Sequence, residues 1–220
     1  MSFDVLDEHE QGELVQKWLR ENALAIIVGV AVGIALIFGW QQWKAHRANQ
    51  TAAASAQYQA LADAVASKKT DEAAKIAESV RTQYPDSTYA VLTALQMAGV
   101  AVGKNDLAGA ADQLAWARQH AKTTSLQALI DLRIGRVKLA QGDADAALKL
   151  AEAVPTGNYD ALAGELRGDA LAKLGRADDA RKAYETALAA GGTQSVDRNL
   201  LQMKLDDLGV VAPETEKPAT

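Results

Sequence analysis

The 220-residue chain has a net charge of −5, no cysteine, four prolines, 49% apolar residues and only 5% aromatics, with alanine commonest at 46. Lack of cysteine excludes disulfides, thiol catalysis and cysteine-bound metal, and an Ala/Leu-rich interior argues against a β fold and predicts close-packed helices, because small side chains let helix axes approach. Outside residues 1–22, which carry −4, 21 bases face 22 acids, a balance that leaves no electrostatic footprint for nucleic acid.

The first element is an acidic tail over residues 1–22. Ala23 to Trp40 then read ALAIIVGVAVGIALIFGW, with no charge between Glu21 and Lys44. Eighteen helical residues span about 27 Å, close to the hydrocarbon thickness of a bilayer. Trp18, Trp40 and Trp43 flank the run, where amphipathic rings settle at an interface. A membrane helix over 23–43 is predicted. The preceding tail is long and acidic, and the first small-residue cleavage candidate, Ala52-Ala53-Ala54, lies too far on, so an uncleaved anchor is expected. Its orientation is open: Lys17 and Arg20 on one flank balance Lys44 and Arg47 on the other. Gly29 and Gly33 form a Gly-x-x-x-Gly pair, extended by Ala25, that would allow close contact with another membrane helix. Residues 44–56 lack a turn signal, so the helix is expected to continue as a stalk.

Residues 57–209 carry the second feature, internal self-similarity. The clearest unit runs from about Asp160 to Ala190. Gly175 makes its turn, Gly168 and Ala180 are small where two helices would cross, and Tyr184 and Ala187 would pack on the next unit. Gly135, Gly142 and Ala147 repeat the pattern 33 residues upstream. Ala98, Asn105, Ala110, Leu114 and Ala117 repeat it a further 37 residues back. A degenerate first unit lies at Tyr58–Tyr84, with its turn near Lys68-Lys69-Thr70 and a stop at Pro85; Pro155 marks another stop. Periods of 33–37 residues with two small crossing points match tetratricopeptide repeats. The segment 194–208 reads as a capping helix that buries Leu200, Leu201, Met203, Leu205 and Leu208. Residues 210–220, with two prolines, are expected to be a disordered tail. The fold class is therefore all-α: one N-terminal transmembrane helix followed by a tetratricopeptide-like helical repeat array.

Chemistry is sparse. His9, His46 and His120 share no metal-ligand spacing. Gly99, Gly103 and Gly109 lack the Lys-Ser/Thr ending of a phosphate loop. Asp143/Asp145 and Asp178/Asp179 follow turns, where acids cap helices and meet the helix dipole. No enzyme, no metal and no cofactor is expected, so function must come from a surface. Repeat arrays bind partners along the first helix of each pair. That pattern nominates Leu92, Leu95, Val102, Leu129, Leu132 and Leu139 with Arg136 in the middle units, and Glu165, Asp169 and Lys173 in the last. For any single one of these leucines, packing between helices is the favoured reading over a contact in the groove.

Five blocks together carry a family resemblance. They are Lys17-Trp18-Leu19-Arg20-Glu21-Asn22, the glycine-spaced span ending in Gly39-Trp40 with Trp43, Ile130–Lys149, Glu165–Glu185 and Leu201–Val210. In order and spacing they resemble the YfgM-like family, the ancillary subunit of the bacterial Sec translocon. The departure is the proline-containing extension after Val210. The resemblance implies a single-pass inner-membrane protein with a cytoplasmic N-terminus and a periplasmic repeat domain. It further implies association with the Sec translocon and with a membrane-anchored periplasmic chaperone of the prolyl-isomerase type, aiding secreted clients as they leave the channel. The alternative is a cytosol-facing or stress-signalling scaffold that sequesters a regulatory protein.

Overall fold

The computed structural model describes residues 8–190 and 196–209. Among these residues there are nine α-helices and no strand, so the fold is all-α. The chain divides into one unit ending at Ala52 and a second beginning at Ala53.

The first unit is built on helix α1, Glu8–Ala66. Among the described residues its apolar stretch is left uncovered: Leu24, Ile27, Val28, Val30, Ile37 and Phe38 are all exposed. It is the one helix among the described residues long and apolar enough to cross a membrane, and none of its apolar window is buried. Burial of such side chains is worth about 1.5–3 kcal/mol each. An uninterrupted collar of them left in water is unfavourable, and a bilayer satisfies it. At the end of the stretch the rings of Trp40 and Trp43 lie 5.2 Å apart. The Arg47 guanidinium sits 4.4 Å from the Trp43 ring, a cation over an aromatic face where the apolar run gives way to charge.

The second unit stacks helix pairs. The last turns of α1 precede α2, Thr70–Gln83; then come α3, Thr88–Gly103, with α4, Leu107–His120; α5, Thr124–Ala140, with α6, Ala144–Glu152; and α7, Asp160–Lys173, with α8, Ala177–Ala189. Helix α9, Arg198–Gly209, follows them and packs on α8. Consecutive pairs join along α2–α3, α4–α5 and α6–α7.

One turn geometry sets the repeat. Lys68, Asn105, Gly142 and Gly175 all have positive φ, between 58° and 89°. After each, the next amide (Lys69, Asp106, Asp143, Arg176) donates at 2.9 Å to the carbonyl five residues back. This closes the helix in the Schellman manner and consumes carbonyls that would otherwise be orphaned. Lysine takes the left-handed conformation at a cost of about 1–2 kcal/mol, so the first unit turns as the others do without a turn-forming residue. The following helix is capped by Asp106, which accepts from the Gly109 amide at 2.8 Å, and by Asp143, which accepts from Ala146 at 3.1 Å.

The crossings need small residues. A Cβ on Gly135 would lie 2.6 Å from Leu166 Cδ2, and one on Gly168 would enter the Tyr184 ring. Tyr184 is thus buried within its own pair, over Gly168, and meets the next element through Lys204, whose Nζ lies 5.8 Å from the ring. Along α9 the buried face is narrower than five residues. Leu201 is fully buried, with Leu205 and Leu208 packed on the same cluster, while Leu200 and Met203 are exposed. The reason is helical period: positions 201, 205 and 208 share a face, and 200 and 203 turn away from it. Residues 194–195 and the expected tail 210–220 lie outside the described residues.

Candidate functional site: a groove along the repeat helices

The sequence-nominated residues separate into three environments. Leu95 and Leu132 are 5% and 2% exposed, and both belong to apolar clusters between helices. Leu92, Leu129 and Leu139 are half-buried. For Leu132 packing wins, because Gly135 lets α7 approach and Leu166 closes over it. Leu95 keeps one edge on a surface groove.

That groove, of about 360 Å³, lies between α3, α4 and α5. Leu95, Ala98, Gly99 and Val102 of α3 line one side, with Leu107 and Leu114 of α4 behind them. Arg133, Arg136, Val137 and Ala140 of α5 form the other side. Val102 is 48% exposed, unusual for a valine in a helix-packed unit. Sequence spacing had singled out Leu95, Val102 and Arg136; Gly99 and Arg133 were missed. Both were findable, since 95, 99 and 102 form one helical stripe, as do 133, 136 and 140.

Glu165, Asp169 and Lys173 do not form a free charged end. Glu165 Oε2 accepts from Arg136 Nη2 at 3.1 Å, and its Oε1 accepts from Lys204 Nζ at 3.0 Å. Lys204 also donates to both oxygens of Asp169, at 2.7 and 2.9 Å, and the Tyr184 hydroxyl donates to Asp169 Oδ1 at 2.7 Å. Helix α9 therefore neutralises the two acids of α7, and only Lys173 is exposed. Burial works to lower the Lys204 pKa, but the hydrogen bonds it donates to Asp169 and Glu165 outweigh it and hold the ammonium above its ordinary value. Burial first, and then the hydrogen bond to Asp169, push the Tyr184 phenol well up.

Lys204→Met keeps the aliphatic stem and removes the cation. The array should lose about 2 kcal/mol by chemical denaturation, as two half-buried carboxylates four residues apart lose their shared donor. Since the folded pKa of Lys204 is raised, its stabilisation is complete below the unfolded value of about 10.4 and fades as pH rises through the folded one. The gap between wild type and variant should be constant through neutral pH and close only under strong alkali. A gap that instead closes on acidification through pH 8 would contradict this assignment.

Gly29 and Gly33 lie one turn apart on α1, and a Cβ at either would meet nothing within 4 Å. The span therefore presents an unfilled small-residue face.

Comparison with known proteins agrees with this architecture. A tetratricopeptide repeat-like domain family matches residues 16–210. The ancillary SecYEG translocon subunit of Escherichia coli K12 is 33% identical over 204 residues, covering 93% of this chain and 98% of that protein. The protein of the same name from Haemophilus influenzae is 30% identical over 208 residues, covering 94% and 100%. That from Neisseria gonorrhoeae is 33% identical over 196 residues, covering 87% and 89%. With the exposed apolar helix, the four equivalent turns and matches along nearly the whole length, the chain belongs to the tetratricopeptide repeat-like family of ancillary SecYEG translocon subunits.

Proposed function

We propose that this chain is a membrane-anchored adaptor that binds proteins at the Sec translocon and acts without catalysis, as a chaperone for secreted segments leaving the channel. Residues 23–43 cross the inner membrane, 44–56 continue the helix and 57–209 form the array. Residues 1–22 lie in the cytoplasm and the array in the periplasm, beside a membrane-anchored chaperone of the prolyl-isomerase type. The observation that carries the reading is the open groove between α3 and α5 in a chain whose relatives are named SecYEG subunits. Gly29 and Gly33 offer the face that packs against a translocon helix, since a glycine pair lets backbones approach closely.

SecYEG isolated from membranes in mild detergent, after brief crosslinking, should bring this chain with it. Recovery should fall when Gly29 and Gly33 are both leucine. A chain that never accompanies SecYEG, crosslinked or not, sinks the proposal.

A further inference from the structure

The groove between α3 and α5 has a composition that selects its occupant. Its floor is small: a Cβ built on Gly99 meets no atom within 4 Å, so the space above it is open. Its walls are aliphatic, with Leu95, Val102 and Val137 facing the space. No acidic residue lines it, although the chain as a whole is acidic. Both lining charges are cationic and stand three residues apart on α5. Arg136 shares its guanidinium with Glu165, while Arg133 is exposed and makes no ion pair among the described residues.

We infer that the groove binds an extended protein segment in which an aliphatic side chain is followed within two residues by a carboxylate. The aliphatic group fills the space above Gly99, where apolar burial supplies affinity. The carboxylate meets the Arg133 fork, whose planar donors match it in a bidentate manner. A basic segment is rejected, because it would bring like charge against Arg133. This rests on the proposed adaptor role and specifies which segments the array takes.

The test uses the full chain in lipid nanodiscs and fluorescein-labelled peptides that alternate leucine with glutamate, lysine or serine. The glutamate peptide should bind, more weakly as salt rises, and the lysine peptide should not. Gly99→Leu places its Cβ in open space, puts its side chain in the groove and removes a helix-interior glycine, so it should fold at least as well as the parent. It should weaken binding at least about tenfold, as should Arg133→Glu at the exposed rim. Binding that survives either substitution, or that tolerates lysine in place of glutamate, overturns the inference. If SecYEG still captures the chain in that case, the adaptor role stands and only the choice of segment is wrong. If SecYEG capture fails as well, the adaptor role falls with it.

Discussion

A chain carrying arginine at both Val30 and Ile34 is expected to leave the membrane fraction. The span holds ten large apolar residues between Leu24 and Phe38, each favouring insertion by about 0.3–0.6 kcal/mol, or roughly 4.5 kcal/mol together. Glycines at 29, 33 and 39 reduce that margin. Two mid-span arginines cost about 5–7 kcal/mol and reverse the balance. Both positions are exposed, so neither substitution removes a packing contact. Alkaline carbonate extraction should recover most of the variant in the supernatant and the wild type in the pellet. Retention of the variant in the pellet would mean that another part of the chain holds it to the membrane.

The second large effect is in the last repeat. Gly168→Leu should lower array stability by about 3 kcal/mol, the upper part of the range for overpacking a core. That corresponds to about 10 °C in melting temperature for a domain of this size. The ring its side chain would enter is held on both sides: Tyr184 is buried and its hydroxyl is tied to Asp169. The ring cannot swing out without breaking that bond and loosening Lys204. Because a repeat array unfolds through its neighbours, α7, α8 and α9 should open first. Tyr184→Ala in the same chain should return part of the loss, since it empties the space that the leucine needs. Equal stability of Gly168→Leu and wild type would refute this account of the crossing. Gly99→Leu, the same substitution in a helix with open space above it, should show no such loss.

The contrast between these two glycines shows what the sequence can and cannot convey. Gly142, Gly175 and Asn105 sit at repeat spacing and favour left-handed turns, so the left-handed residue of three of the four turns was legible from its type. The first turn was also expected, near Lys68-Lys69-Thr70, but lysine carries no preference for the left-handed conformation that Lys68 takes; helix closure and the packing of Leu61 and Ala64 against Ala73 and Ala77 impose it. The small crossing residues were legible by position. The packing of Tyr184 within its own pair was not, since it depends on an aspartate fifteen residues away.

The groove was half legible for the same reason. Helical spacing marked Leu95, Val102 and Arg136 as sharing a surface. It could not tell Leu132 from Leu95, because what buries Leu132 is the close approach at Gly135. Nor could it reveal that Lys204, more than thirty residues distant, would claim Glu165 and Asp169. Orientation of the span was not legible from charge, since two bases stand on either flank and acids contribute little to the rule that decides it; only the family resemblance implied one.

Topology tests the central claim, a membrane-anchored array working on the periplasmic side, more directly than any substitution. Protease is added to intact cells, to spheroplasts and to lysed cells, and the fate of an epitope following α9 is followed by blotting. The account predicts that the epitope survives in intact cells and is lost in spheroplasts before lysis. Protection in spheroplasts with loss only on lysis would place the array in the cytoplasm and contradict the account.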